Sequence, residues 1–84
     1  MADDFIAGAG MLTPAERNIL QFYVDGYEIA EIPELACVSI NTVRKHNKSI
    51  YKKLGVGSRE EMMLYIELLR RGNRLEELNS IKNE

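Results

Sequence analysis

Helix starts closed by glycines constrain this chain more than any other feature. The first start is Leu12-Thr13-Pro14-Ala15-Glu16. Thr13 suits an N-cap, Pro14 suits the first helical position, and Glu16 is placed to reach back and complete a capping box. Ile19, Leu20, Tyr23 and Val24 then recur at helical spacing, and Gly26 stops the helix. Ser39 caps a later helix that runs to Leu54. Gly55 closes it in the left-handed position, and Val56 folds back on the last turn. Ser58 with Glu61 forms a second capping box for a helix from about Arg59 to Arg71, which Gly72 stops. No strand alternation appears, so the chain is read as all-α.

One segment resists this grammar. From about Glu28 to Ala36, Ile29, Ile32 and Leu35 step at three-residue intervals, with Pro33 among them. Proline removes a backbone donor and clashes with the carbonyl four residues back. The helix here therefore starts late, with Pro33 in its first turn, or it is distorted. Cys37-Val38 make a short turn into the next helix.

The ends are read differently. Residues 1–11, with Gly8 and Gly10, are taken as a linker or a cloning remnant. Residues 12–72 form the domain. In the tail, 73–84, Leu75, Leu78 and Ile81 suggest one more short helix or a frayed end. At 84 residues a single domain is expected. A domain of that size buries roughly 60% of its unfolded surface and leans on a partner. Cys37 is the one cysteine, which excludes an intrachain disulfide or a cysteine metal cluster. No apolar run approaches the roughly 18 residues of a membrane span, and no secretory signal is visible, so the cytoplasm is the default compartment.

The net charge is −2, but it is unevenly distributed. Between Leu35 and Arg59 the chain carries Arg44, Lys45, Lys48, Lys52, Lys53 and Arg59 and no acid. Acids flank this stretch at Glu16, Asp25, Glu28, Glu31 and Glu34, then at Glu60, Glu61 and Glu67. On a helix from Ile40 to Leu54, Val43, Ile50 and Leu54 share a narrow arc with Asn47. Asn41, Arg44, Lys45, Lys48 and Lys52 take the opposite side. Thr42, His46, Ser49 and Lys53 lie along one edge and Tyr51 along the other. One face packs; the other is long, basic and polar. That geometry suits a helix seated in the major groove of DNA, where Arg and Lys reach guanine acceptors or phosphates. Basic residues on an exposed helix also serve solubility alone.

Other residues carry blander expectations. His46 has no second ligand nearby and no nucleophile motif, so neither a metal nor a catalytic role is indicated, and no cofactor or enzyme activity is implied. Cys37 is expected to fill a small apolar space. Tyr23, Tyr27, Tyr51 and Tyr65 are expected to close the core. On the last long helix Met62, Tyr65, Ile66 and Leu69 make one face. Met63, Leu64 and Leu68 then need cover, either from the tail or from a dimer partner.

Taken in order, Leu12-Thr13-Pro14-x-Glu16-Arg17, Gly26, Glu31-Ile32, Val38-Ser39-x-x-Thr42-Val43-Arg44-x-His46, Lys53-Leu54-Gly55-Val56 and Ser58-Arg59 resemble the LuxR/FixJ-type (GerE-like) four-helix DNA-binding domain. The match runs from about Leu12 to Leu69. The resemblance implies a bacterial transcription regulator. It implies a phosphorylatable receiver (as in response regulators) or a ligand-sensing domain ahead of the DNA-binding part. It also implies a major-groove helix over about 40–54, a homodimer on DNA, and RNA polymerase as a candidate partner. Carried over by position, Arg44, Lys45 and Lys48 face base edges. Ser39, Thr42 and Lys52 lie nearer phosphates, together with the start of the second helix. The chain departs from the family pattern at Pro33, at Ala36, and at Asn47, where many members carry an apolar residue. Two other functions remain: a sigma-factor promoter-reading domain, and a protein-interaction module that keeps the fold but not DNA binding.

Overall fold

The computed structural model describes residues 2–79. Among them are five α-helices: α1 (Ala2–Ala9), α2 (Pro14–Val24), α3 (Ile32–Ala36), α4 (Ile40–Leu54) and α5 (Arg59–Arg71). Short 3-10 turns cover Ile29–Glu31 and Leu75–Leu78. No strand is present among the described residues, so the all-α reading holds.

The cap chemistry works as the local sequence demands. The Glu16 amide donates to the Thr13 hydroxyl at 3.1 Å, and the Thr13 amide donates to Glu16 Oε1 at 3.0 Å. Ser39 accepts from the Thr42 amide at 3.1 Å. Gly55 takes φ 76° and ends α4, and Val56 is buried behind it. At α5 the box shifts by one residue. Ser58 accepts from the Glu61 amide, but Glu61 reaches the Gly57 amide at 2.8 Å.

Pro33 falls in the first turn of α3, where the missing donor costs nothing, and a 3-10 turn replaces the helix ahead of it. Cys37 closes α3 in the left-handed conformation at φ 59°. That turns its side chain to the surface, so Cys37 is exposed and fills no apolar space. Tyr27 is also exposed and lies edge-on to Phe22. Tyr23 is fully buried, and Tyr51 and Tyr65 are half-buried.

The N-terminal segment corrects the linker reading. Residues 2–9 are helical, and Phe5, Gly8 and Ala9 are buried along one side at helical spacing. Phe5 stacks on Tyr65 with ring centroids 4.8 Å apart. Gly8 lies against the end of α4, where an added Cβ would overlap the Lys53 carbonyl oxygen. This glycine permits close approach rather than flexibility. Arg17 then fastens both ends of the chain. Its guanidinium donates to the Ala9 carbonyl at 2.7 Å and to the Leu78 carbonyl at 2.9 Å. Arg74 bonds Asp3 and Glu77. Leu78 is buried and Leu75 is packed on the core, while Ile81 lies outside the described residues.

The core joins Phe5 and Ala9 of α1 and Ile19, Leu20 and Tyr23 of α2 to Ile32 of α3. Val43, Ile50 and Leu54 of α4, Met62, Ile66 and Leu69 of α5, and Leu12, Val56 and Leu78 outside the long helices complete it. Fully burying one such side chain stabilises the fold by about 1.5–3 kcal/mol.

Candidate nucleic-acid interface

α4 packs against α1, α2, α3 and α5. Val43, Ile50 and Leu54 are buried, and Asn47 is 5% exposed beside them. Ser39 starts the helix, and its hydroxyl donates to the Thr42 hydroxyl at 3.1 Å. Lys53 leaves the edge of α4 for α2 and bonds Glu16 at 2.7 Å. This bond is half-buried, with Glu16 5% exposed and the Lys53 side chain 27% exposed. Desolvation works to raise the Glu16 pKa. Donation from Lys53, the Ser49 hydroxyl and the Thr13 amide outweighs it and brings the pKa down to about 2.

The opposite face is open. Asn41, Arg44, Lys45, Lys48 and Lys52 are exposed, as is Ser39 at the helix start, and Thr42 is half-buried. Among the described residues, Arg44, Lys45, Lys48 and Lys52 enter no salt bridge. Every other described cation is committed. Lys53 holds Glu16, Arg59 holds Glu28, Arg70 and Arg71 hold Glu67, and Arg74 holds Asp3 and Glu77. Arg17 holds two carbonyls. Among the described residues the uncommitted positive charge thus lies on one side of one helix, where it repels itself and attracts a polyanion.

Arg44, Lys45 and Lys48 also line a shallow groove with Asn47, Tyr51 and Ile29 of the neighbouring 3-10 turn. Under this groove is a buried polar cluster that the sequence pattern does not reveal. The Tyr23 hydroxyl, Asn47 Oδ1 and Arg59 Nε are buried without a short hydrogen bond, and Asn47 and Tyr51 direct polar groups at the Tyr23 hydroxyl. The Tyr23 hydroxyl lies beside Asn47, Tyr51 and Arg59, and burial raises its pKa. Burial likewise pushes the Tyr51 hydroxyl up to about 12. The acids ahead of α3 are partly neutralised within the chain. Glu28 is paired with Arg59 at 3.0 Å, and Glu31 accepts from the Glu28 amide at 2.7 Å.

The sequence pattern of the luxR family of bacterial regulatory proteins matches residues 10–66. The chain belongs to this family. It is a luxR-family helix-turn-helix domain. Within the LuxR-family match lie α2, α3 and α4 and the first half of α5; α1 stands outside it. Three relatives carry the same kind of name. The transcriptional activator protein BglJ of Escherichia coli is 39% identical over 54 residues, 64% of this chain and 24% of its own length. The transcriptional activator protein YukR of Yersinia ruckeri is 35% identical over 63 residues, 74% of this chain and 28% of its own. The transcriptional regulatory protein MctR of Rhizobium johnstonii is 36% identical over 58 residues, 69% of this chain and 27% of its own. The chain spans between 7% and 28% of the length of these relatives and of the mycobacterial regulators that also match. No solved structure gives a significant match.

The α5 surface is less uniform than the sequence suggests. Leu64 is 62% exposed and Leu68 54% exposed, so both present apolar surface. Met63 is half-buried and packs on the core. No helix among the described residues is long and apolar enough to cross a membrane.

Proposed function

We propose that this LuxR-family domain is the DNA-reading output part of a longer bacterial regulator acting in the cytoplasm. In this reading α4 is seated in the major groove, and the chain works by binding rather than by catalysis. The uncommitted cations on the outer face of α4 carry the reading. Arg44, Lys45 and Lys48 face base edges. Asn41 hydrogen-bonds close in. Ser39, Thr42 and Lys52 lie over phosphates, where the start of α4 adds its own backbone donors. RNA polymerase is the partner this reading implies for the DNA-bound regulator.

Dimerisation follows from α5. In an antiparallel pair centred on Ile66, Leu64 of one copy meets Leu68 of the second. Apolar cover thus points to one register, and two bound copies would read paired half-sites.

The test is a titration of duplexes enriched from a random pool, at two salt concentrations. Arg44→Ala relaxes sequence preference, since a good bidentate contact discriminates by about 1–3 kcal/mol. Lys52→Ala weakens all duplexes alike and lowers the log–log salt slope by about 0.9. An Arg44→Ala domain with full preference contradicts the assignment.

A further inference from the structure

The cluster beneath the groove is costly to keep. Asn47 stands on the packing arc of α4, where an apolar side chain would add contacts and strand no polar atom. Three buried polar groups meet there from three helices, the Tyr23 hydroxyl from α2, Asn47 from α4 and Arg59 from α5, and Asn47 and Tyr51 both direct hydrogen-bonding groups at the Tyr23 hydroxyl without closing a short bond. Arg59 lies over the Tyr23 ring at 6.0 Å from its centroid. Its Nη2 bonds Glu28, which starts the 3-10 turn ahead of α3. These polar groups therefore link α2, α4 and α5, and through Glu28 the 3-10 turn that leads into α3.

That point is also the floor of the binding face. Asn47 lines the same groove as Arg44, Lys45, Lys48 and Tyr51. Arg44 precedes it by almost one helical turn and Lys48 follows it directly, so a rotation of α4 at Asn47 displaces both. Apolar contacts are non-directional and tolerate such rotation, whereas polar groups have preferred directions.

Resting on the reading of α4 as the recognition helix, we propose that Asn47 is a positioning residue that sets the roll of α4. Through Arg44 and Lys48 it then governs sequence discrimination, not overall DNA affinity. Phosphate contacts tolerate a small roll because the backbone charge is continuous. Bidentate contacts to a base edge do not.

The experiment compares the full chain with Asn47→Leu and Tyr23→Phe. Each is titrated against a duplex enriched by selection and a scrambled duplex of equal length, at two salt concentrations, alongside thermal melting. Asn47→Leu is expected to melt no lower than the parent and to keep its scrambled-duplex affinity and salt slope. It loses about tenfold of its preference for the selected duplex, the worth of one weak bidentate contact. Tyr23→Phe, which leaves the groove wall untouched, loses preference in the same direction. If Asn47→Leu fails to fold, Tyr23→Phe decides alone. Unchanged preference in the folded variants overturns the proposal, as does an equal loss for both duplexes. If preference in the parent does not depend on Arg44 and Lys48, measured in parallel as alanine variants, the recognition-helix reading fails first and this inference falls with it.

Discussion

Replacing Glu16 by glutamine tests how α4 is fastened to the fold. The carboxylate is buried and accepts from Lys53 and from the Thr13 amide. Its pKa falls from 4.5 to about 2. A folded-state pKa below the unfolded value means stability that is complete above pH 4.5 and lost as pH falls through 2. The size of that drop corresponds to about 3 kcal/mol at neutral pH. Glutamine keeps an oxygen for the Thr13 amide, so the cap survives. It loses the charge and turns an amide toward Lys53. Urea denaturation followed by helical circular dichroism should show Glu16→Gln less stable by about 3 kcal/mol at pH 7. The difference should shrink steadily below pH 4.5 and nearly vanish at pH 2. A deficit of equal size at pH 7 and pH 2 refutes the ionic account and leaves packing alone.

The remaining predictions concern packing and assembly. Gly8→Ala drives a methyl group into the Lys53 carbonyl and should cost about 1–3 kcal/mol; an unchanged melting temperature shows that α1 is not seated as described. Val43→Ala empties a fully buried site and should cost about 2 kcal/mol, lowering DNA binding only by the fraction unfolded. Leu64→Glu should keep the domain monomeric at concentrations where the parent self-associates in sedimentation; identical behaviour counts against pairing through α5.

The sequence revealed what local chemistry decides. Thr13, Pro14 and Glu16 announce a helix start wherever they occur together, and Gly55 announces its end. The two faces of α4 were legible because helical period alone separates Val43 and Ile50 from Arg44 and Lys48. What tertiary contacts decide was hidden. Gly8 and Gly10 read as flexible linker, yet Gly8 is small because α4 passes against it. Lys52 and Lys53 are adjacent and chemically identical, but only Lys53 points toward Glu16 on another helix. Cys37 looked like a small core residue, and only the left-handed turn places it outside. Asn47 looked like a departure from pattern, and its neighbours Tyr23 and Arg59 come from distant segments.

The central claim is that the outer face of α4 reads DNA. The most direct measurement is the affinity of the Arg44→Ala, Lys48→Ala, Lys52→Ala triple variant for a selected duplex, with circular dichroism confirming the fold. All three side chains are exposed and unpaired among the described residues, so their removal should leave stability near that of the parent. The account predicts loss of sequence preference, a fall in affinity of more than tenfold, and a salt slope reduced by about 0.9 for each phosphate contact removed. A folded triple variant that binds the selected duplex as tightly as the parent would contradict it, and would bring forward the interaction module that has kept the fold without DNA binding.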